Sequence, residues 1–64
     1  MIKVNGVVHE WSDLTVAALL ERLAIESRGI AVAVNGTIVT RSNWPSTEIS
    51  DESSVEILTA AAGG

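Results

Sequence analysis

The 64-residue sequence contains no cysteine. That absence excludes a disulfide framework, a thiolate zinc site and a cysteine nucleophile together, so any sulfur chemistry must use sulfur brought from outside. Basic residues are few: four Lys and Arg against eight Asp and Glu leave a net charge of −4. This is the wrong sign for phosphate-backbone binding, so no nucleic-acid partner is expected. Long apolar runs are also missing. No stretch approaches the roughly 20 residues of a membrane-spanning helix. Met1-Ile2-Lys3-Val4-Asn5 reads as a strand rather than a signal peptide, so no membrane partner and a cytoplasmic location are expected. His9 is the sole histidine. With scattered carboxylates it makes neither a tetrahedral nor an octahedral ligand set, and no metal is assigned. Ser12 and Asp13 lie close to it in sequence, but strand alternation separates neighbours and nothing suggests an oxyanion hole. No catalytic residue is assigned, and the chain is expected not to be an enzyme. Phe and Tyr are absent, leaving Trp11 and Trp44 as core or core-edge filler, with Trp44 the better candidate of the two for a partner contact. A chain this short makes one domain near the lower limit for folding on its own core. It is too small to wall a deep pocket on all sides.

What is present is periodic. Ile2 to Val4 and Val7 to Trp11 flank Asn5-Gly6, a dipeptide suited to both positive-φ positions of a type I′ turn, and predict a hairpin. Leu14-Thr15-Val16 opens a helix, with Thr15 as cap and Leu14 stapled on Leu19. Val16, Leu19, Leu20 and Leu23 form one apolar stripe, and Gly29 is the expected stop after Ser27-Arg28. Ile30-Ala31-Val32-Ala33-Val34 predicts a strand with its large residues on the helix side and Ala31 and Ala33 on the other face. Asn35-Gly36 is a second tight turn into Thr37-Ile38-Val39-Thr40. Arg41 to Ser50 reads as irregular, with one helical turn around Ser42-Asn43-Trp44 that Pro45 helps to end. Asp51-Glu52-Ser53-Ser54 is a polar turn, and Val55 to Thr59 a final strand. One helix over one face of a mixed sheet of four or five strands satisfies both apolar patterns. The expected class is α+β, a β-grasp (ubiquitin-like) arrangement over residues 1–59.

Residues 60–64, Ala60-Ala61-Ala62-Gly63-Gly64, read as a flexible tail. At average glycine usage, two final glycines arise by chance in about 0.5% of chains. Glycine has no Cβ, so Gly63, with Ala62 behind it, suits threading through a narrow channel in a partner, where the Gly64 carboxylate meets a nucleotide site.

Several segments together resemble a known family. They are Val4-Asn5-Gly6, Thr15-Val16-Ala17-Ala18-Leu19-Leu20, Ile30 to Gly36 with Ile38-Val39, Arg41-Ser42 with Trp44, Val55-Glu56-Ile57 and Gly63-Gly64. This ordered set, spanning essentially the whole chain, is similar to the ThiS-type sulfur carriers of thiamine (thiazole) biosynthesis. Departures fall at Thr40, Asn43 and Asp51-Glu52-Ser53. The resemblance implies a carrier with no bound cofactor. An E1-like, ThiF-type adenylating enzyme uses ATP to convert the Gly64 carboxylate to an acyl-adenylate, a sulfur donor enzyme turns it into a thiocarboxylate, and a ThiG-type thiazole synthase receives the sulfur.

The same tail would serve a sulfur carrier for molybdopterin or cysteine synthesis. It would also serve a ubiquitin-like modifier that forms isopeptide bonds, and a plain β-grasp interaction module would carry it inertly. For any partner the expected docking surface is Leu58 with Ala31 and Ala33. Val55 and Ile57 point inward, leaving these three as an apolar patch on the open sheet face.

Overall fold

The computed structural model describes residues 1–59. The expectations for Ala62, Gly63 and Gly64, and for a tail over 60–64, lie outside the described residues. In chain order the elements are β1 (Ile2–Val4), β2 (Val7–His9), β3 (Leu14–Thr15), α1 (Val16–Arg22), β4 (Ile30–Val34) and β5 (Thr37–Val39). A 3₁₀ helix (Arg41–Ser46), β6 (Glu48–Ile49) and β7 (Ser54–Thr59) follow.

Asn5 and Gly6 have φ of 49° and 85°, and Asn35 and Gly36 of 51° and 86°. Each Asn-Gly pair thus occupies the two left-handed positions of a two-residue hairpin loop, as the sequence predicts. A Cβ at Gly6 or Gly36 would meet nothing within 4 Å, so the dihedral angle, not lack of space, selects glycine there. The two hairpins, β1–β2 and β4–β5, are not hydrogen-bonded to each other. β7 lies between them, giving a five-stranded sheet in the order β2-β1-β7-β4-β5. β7 runs parallel to β1, with Val4 opposite Val55, and antiparallel to β4, with Ile30 opposite Thr59 and Val34 opposite Val55. The sheet is therefore mixed, and one helix covers one of its faces, the expected β-grasp architecture.

The core is where strand and helix periods meet. Val16 and Leu19 from α1 and Val32 and Val55 from the sheet are fully buried, joined by Ile2, Val4, Leu20, Trp44, Ile49 and Ile57. Each such side chain contributes roughly 1.5–3 kcal/mol on burial. The Oγ1 of Thr15 accepts from the Ala18 N–H at 3.1 Å, the expected cap.

The helix departs from expectation at its other end. It stops at Arg22, seven residues before Gly29, with Leu23 as C-cap. Ala24 takes φ 57°. The Ala24 N–H donates to the Glu21 carbonyl at 3.0 Å and the Ile25 N–H to the Leu20 carbonyl at 3.1 Å, a Schellman stop built on alanine. The half-buried Ile25 packs against the core, and that hydrophobic anchor turns the chain where no glycine announces it.

Three other corrections are smaller. The second strand of the first hairpin, β2, ends at His9 rather than Trp11. The 3₁₀ helix spans six residues with Pro45 inside rather than one turn ended by it, and only Ser46 follows the proline. Leu14–Thr15, expected as the helix opening, pairs with Glu48–Ile49 in a separate two-stranded ladder.

Candidate functional site

β7 carries the chain toward its last residues from the middle of the sheet, and its alternation sets what surrounds that exit. Val55 and Ile57 face the helix and are buried, while Glu56 and Leu58 face away. Leu58 stands directly opposite Ala31, and Ala33 is flanked by Glu56 on one side and Ile38 on the other. The three residues expected as a docking surface are thus neighbours on the open face. They are not equally accessible: Leu58 is 60% exposed, whereas Ala33 is only 7% exposed because its larger flanking side chains overhang it.

The apolar face is wider than the sequence reading made it. Ile38, 62% exposed, continues it onto β5, and Val8 reaches it from β2 across Lys3. Alternation within Thr37–Val39 was the signal for Ile38, since Val39 is the residue that packs on the core. Lys3 and Glu56 supply one charge of each sign among these side chains.

Both hairpin turns also grip β7, through contacts that no local sequence pattern announces. At the β1 side, Asn5 Oδ1 accepts from the Ile57 N–H at 2.8 Å and Asn5 Nδ2 donates to the Ile57 carbonyl at 3.2 Å. At the β4 side, Asn35 Oδ1 accepts from the Ser54 N–H at 2.9 Å and Asn35 Nδ2 donates to Ser53 Oγ at 3.4 Å.

The aromatic residues have structural partners. Trp44 is buried, its indole N–H donating to the Val39 carbonyl at 3.0 Å, with the Arg41 guanidinium 5.4 Å over its ring. Trp11 stacks on His9 with ring centroids 4.2 Å apart, and Arg22 lies 5.1 Å from its centre. Among the described residues no ion pair joins His9 to a carboxylate.

At the opposite end of β7 the Met1 amino group pairs with the Asp51 carboxylate. The hydrogen bond from that amino group, then its charge, hold the Asp51 carboxyl below its usual range, and the bond to Asp51 raises the amino group in turn. A shallow open depression of about 210 Å³ lies beside this pair, lined by Lys3, Val8, Glu52 and Ser54 among others. It lies at the Ser54 end of β7, the end away from Thr59. Among the described residues no helix is long and apolar enough to cross a membrane.

Known proteins match this arrangement along its length. The family model described as "ThiS family" matches residues 2–64. A protein of Porphyra purpurea described as uncharacterized protein ycf40 is 36% identical over 64 residues, which cover 98% of this chain and 90% of that protein. Among solved structures, the thiamine biosynthesis protein (ThiS) from Geobacter metallireducens superposes with a TM-score of 0.82 at 30% identity, covering 98% of this chain and 97% of that one.

Proposed function

This chain belongs to the ThiS family, and from that premise we propose that it is a cytoplasmic sulfur carrier of thiamine thiazole synthesis, a protein co-substrate rather than an enzyme. The observation that carries the reading is the family match itself, which extends through Gly63 and Gly64. The similar solved structure is named a thiamine biosynthesis protein, which supports the same pathway. The absence of cysteine fits it, because a chain without a thiol cannot carry sulfur as a persulfide of its own.

The chemistry follows from what a carboxylate can and cannot do. It is a poor electrophile until a leaving group is attached. An adenylating partner joins the Gly64 carboxylate to the α-phosphate of ATP, releasing pyrophosphate. A sulfur donor's persulfide then attacks the acyl carbon and displaces AMP, and reduction of the resulting acyl disulfide by a thiol leaves the thiocarboxylate. That group is a soft nucleophile suited to passing its sulfur to a thiazole synthase. Gly63 and Ala62 thread the tail into the adenylating site, and the face of Leu58, Ala31 and Ala33 docks beside it.

The test is intact-mass analysis of the chain after incubation with an E1-like adenylating enzyme, ATP and a sulfur donor. The expected product is heavier by one oxygen-to-sulfur exchange, confined to the C-terminal peptide. Sulfur on any other residue, or an unchanged mass, overturns the proposal. Conjugates to partner lysines would instead identify a protein modifier.

A further inference from the structure

β1 accompanies β7 only as far as Val4 opposite Val55, because the chain turns back at Asn5-Gly6. The Asn5 N–H still donates to the Val55 carbonyl at 2.9 Å. In a continuing parallel ladder the next acceptor, for the Ile57 N–H, would be the Asn5 main-chain carbonyl. Here the side chain takes that place, its Oδ1 receiving the Ile57 N–H at 2.8 Å while its Nδ2 donates to the Ile57 carbonyl at 3.2 Å. The carboxamide thus stands in for the peptide group that β1 gives up on turning. The orientation of the amide is fixed by its partner, since an N–H can donate only to the oxygen.

This is a second task beyond the turn. A left-handed φ at position 5 is satisfied by Gly, Asn or Asp alike. A planar group offering one acceptor and one donor to the two sides of a single residue is supplied by Asn alone among those three. Asn35 shows the distinction. It occupies the same turn position and also replaces a main-chain acceptor, but it holds Ser54 at the start of β7. Asn5 holds Ile57, two residues before Thr59.

The geometry points to Asn5 as a positioning residue for the C-terminal segment: its carboxamide fixes where and in what direction the chain leaves the sheet on the β1 side, so that the residues beyond Thr59 start from a set origin. For the consequence in catalysis by a partner, this rests on the carrier reading above.

The experiment uses the full chain with Asn5→Gly, Asn5→Asp and, as control, Asn35→Gly. Amide exchange and residual dipolar couplings are measured at Ile57, Leu58 and Thr59 and at Val32 as reference. ATP-dependent adenylation by the E1-like enzyme is followed as pyrophosphate release. With its two bonds removed, Asn5→Gly should speed Ile57 exchange by at least about fivefold relative to Val32 and change the couplings at Leu58 and Thr59. Adenylation should lose kcat with KM nearly unchanged, because the docking face is intact. Asn35→Gly should leave the Thr59 couplings and kcat as in the parent. Should Asn5→Gly not fold, Asn5→Asp decides, since it keeps the turn preference and the acceptor while losing the donor. Unaltered couplings at Leu58 and Thr59 overturn the positioning role whatever the enzyme does. A parent chain that is never adenylated overturns the carrier reading, and the couplings still decide the role of Asn5.

Discussion

Ala24 holds a left-handed conformation that its own side chain does nothing to favour. It sits at φ 57°, where an L-residue with a Cβ pays roughly 1–2 kcal/mol, and its side chain adds nothing to the core cluster. Ala24→Gly should therefore stabilise the fold by about 0.5–1 kcal/mol, the relief of strain less the added unfolded-state entropy. Urea unfolding of the two proteins checks this, with an equal or lower midpoint for the glycine variant contradicting it. The same comparison explains what was legible residue by residue. Asn5-Gly6 and Asn35-Gly36 announce left-handed backbone because their side chains favour it. Ala24 announces nothing, since its conformation is imposed by Ile25 packing behind the helix, and the helix end is therefore not legible in the sequence. The grip of Asn5 on Ile57 was equally hidden, because the partners lie 52 residues apart.

At the scale of elements, the open face of the sheet is the part of the candidate site that alternation could reveal. Period-2 patterning puts Ala31, Ala33 and Leu58 on one face, and the register sets Leu58 opposite Ala31. Leu58→Asp should weaken docking on both the adenylating enzyme and the sulfur acceptor, since a carboxylate buried in an apolar interface without a partner is costly. Because Leu58 is 60% exposed, stability should change by no more than about 0.5 kcal/mol. Calorimetric binding to each enzyme and a denaturation curve measure the two effects separately. Undiminished binding would move the docking surface elsewhere, and an unfolded variant would refute the face assignment. The β3–β6 ladder was not legible in this way. Strands of two residues show no period, and Leu14 meets Ile49 only because the core brings them together.

Over the whole molecule, the link between Met1 and Asp51 joins the start of β1 to the turn before β7. Its pH dependence has two sides. Asp51 is lowered in the folded state, so its stabilisation is present above the unfolded carboxyl pKa and is lost as pH falls through the folded value. The amino group is raised, so its share is present below its unfolded pKa and is lost as pH rises through the folded value. The contribution from this pair should be level between about pH 4 and pH 8 and decline on either side. Both groups are exposed, which keeps the effect small. In thermal melts carried from well below about pH 4 to well above about pH 8, Asp51→Asn should show a level deficit against the parent in the middle that narrows toward both extremes, and a deficit independent of pH over the whole span would mean the pair contributes nothing.

The central place of β7 has a consequence in time as well as in space. Both hairpins close over two residues and need nothing from the far end of the chain. The β1–β7 pairing, with Val4 opposite Val55, must close a loop of some fifty residues, at an entropic cost on the order of 3 kcal/mol. Local pieces therefore form early and the sheet forms late, as expected where long-range pairing governs the rate. A chain broken off before Ser54 is left as two hairpins with no strand between them, unable to present a finished surface to any partner.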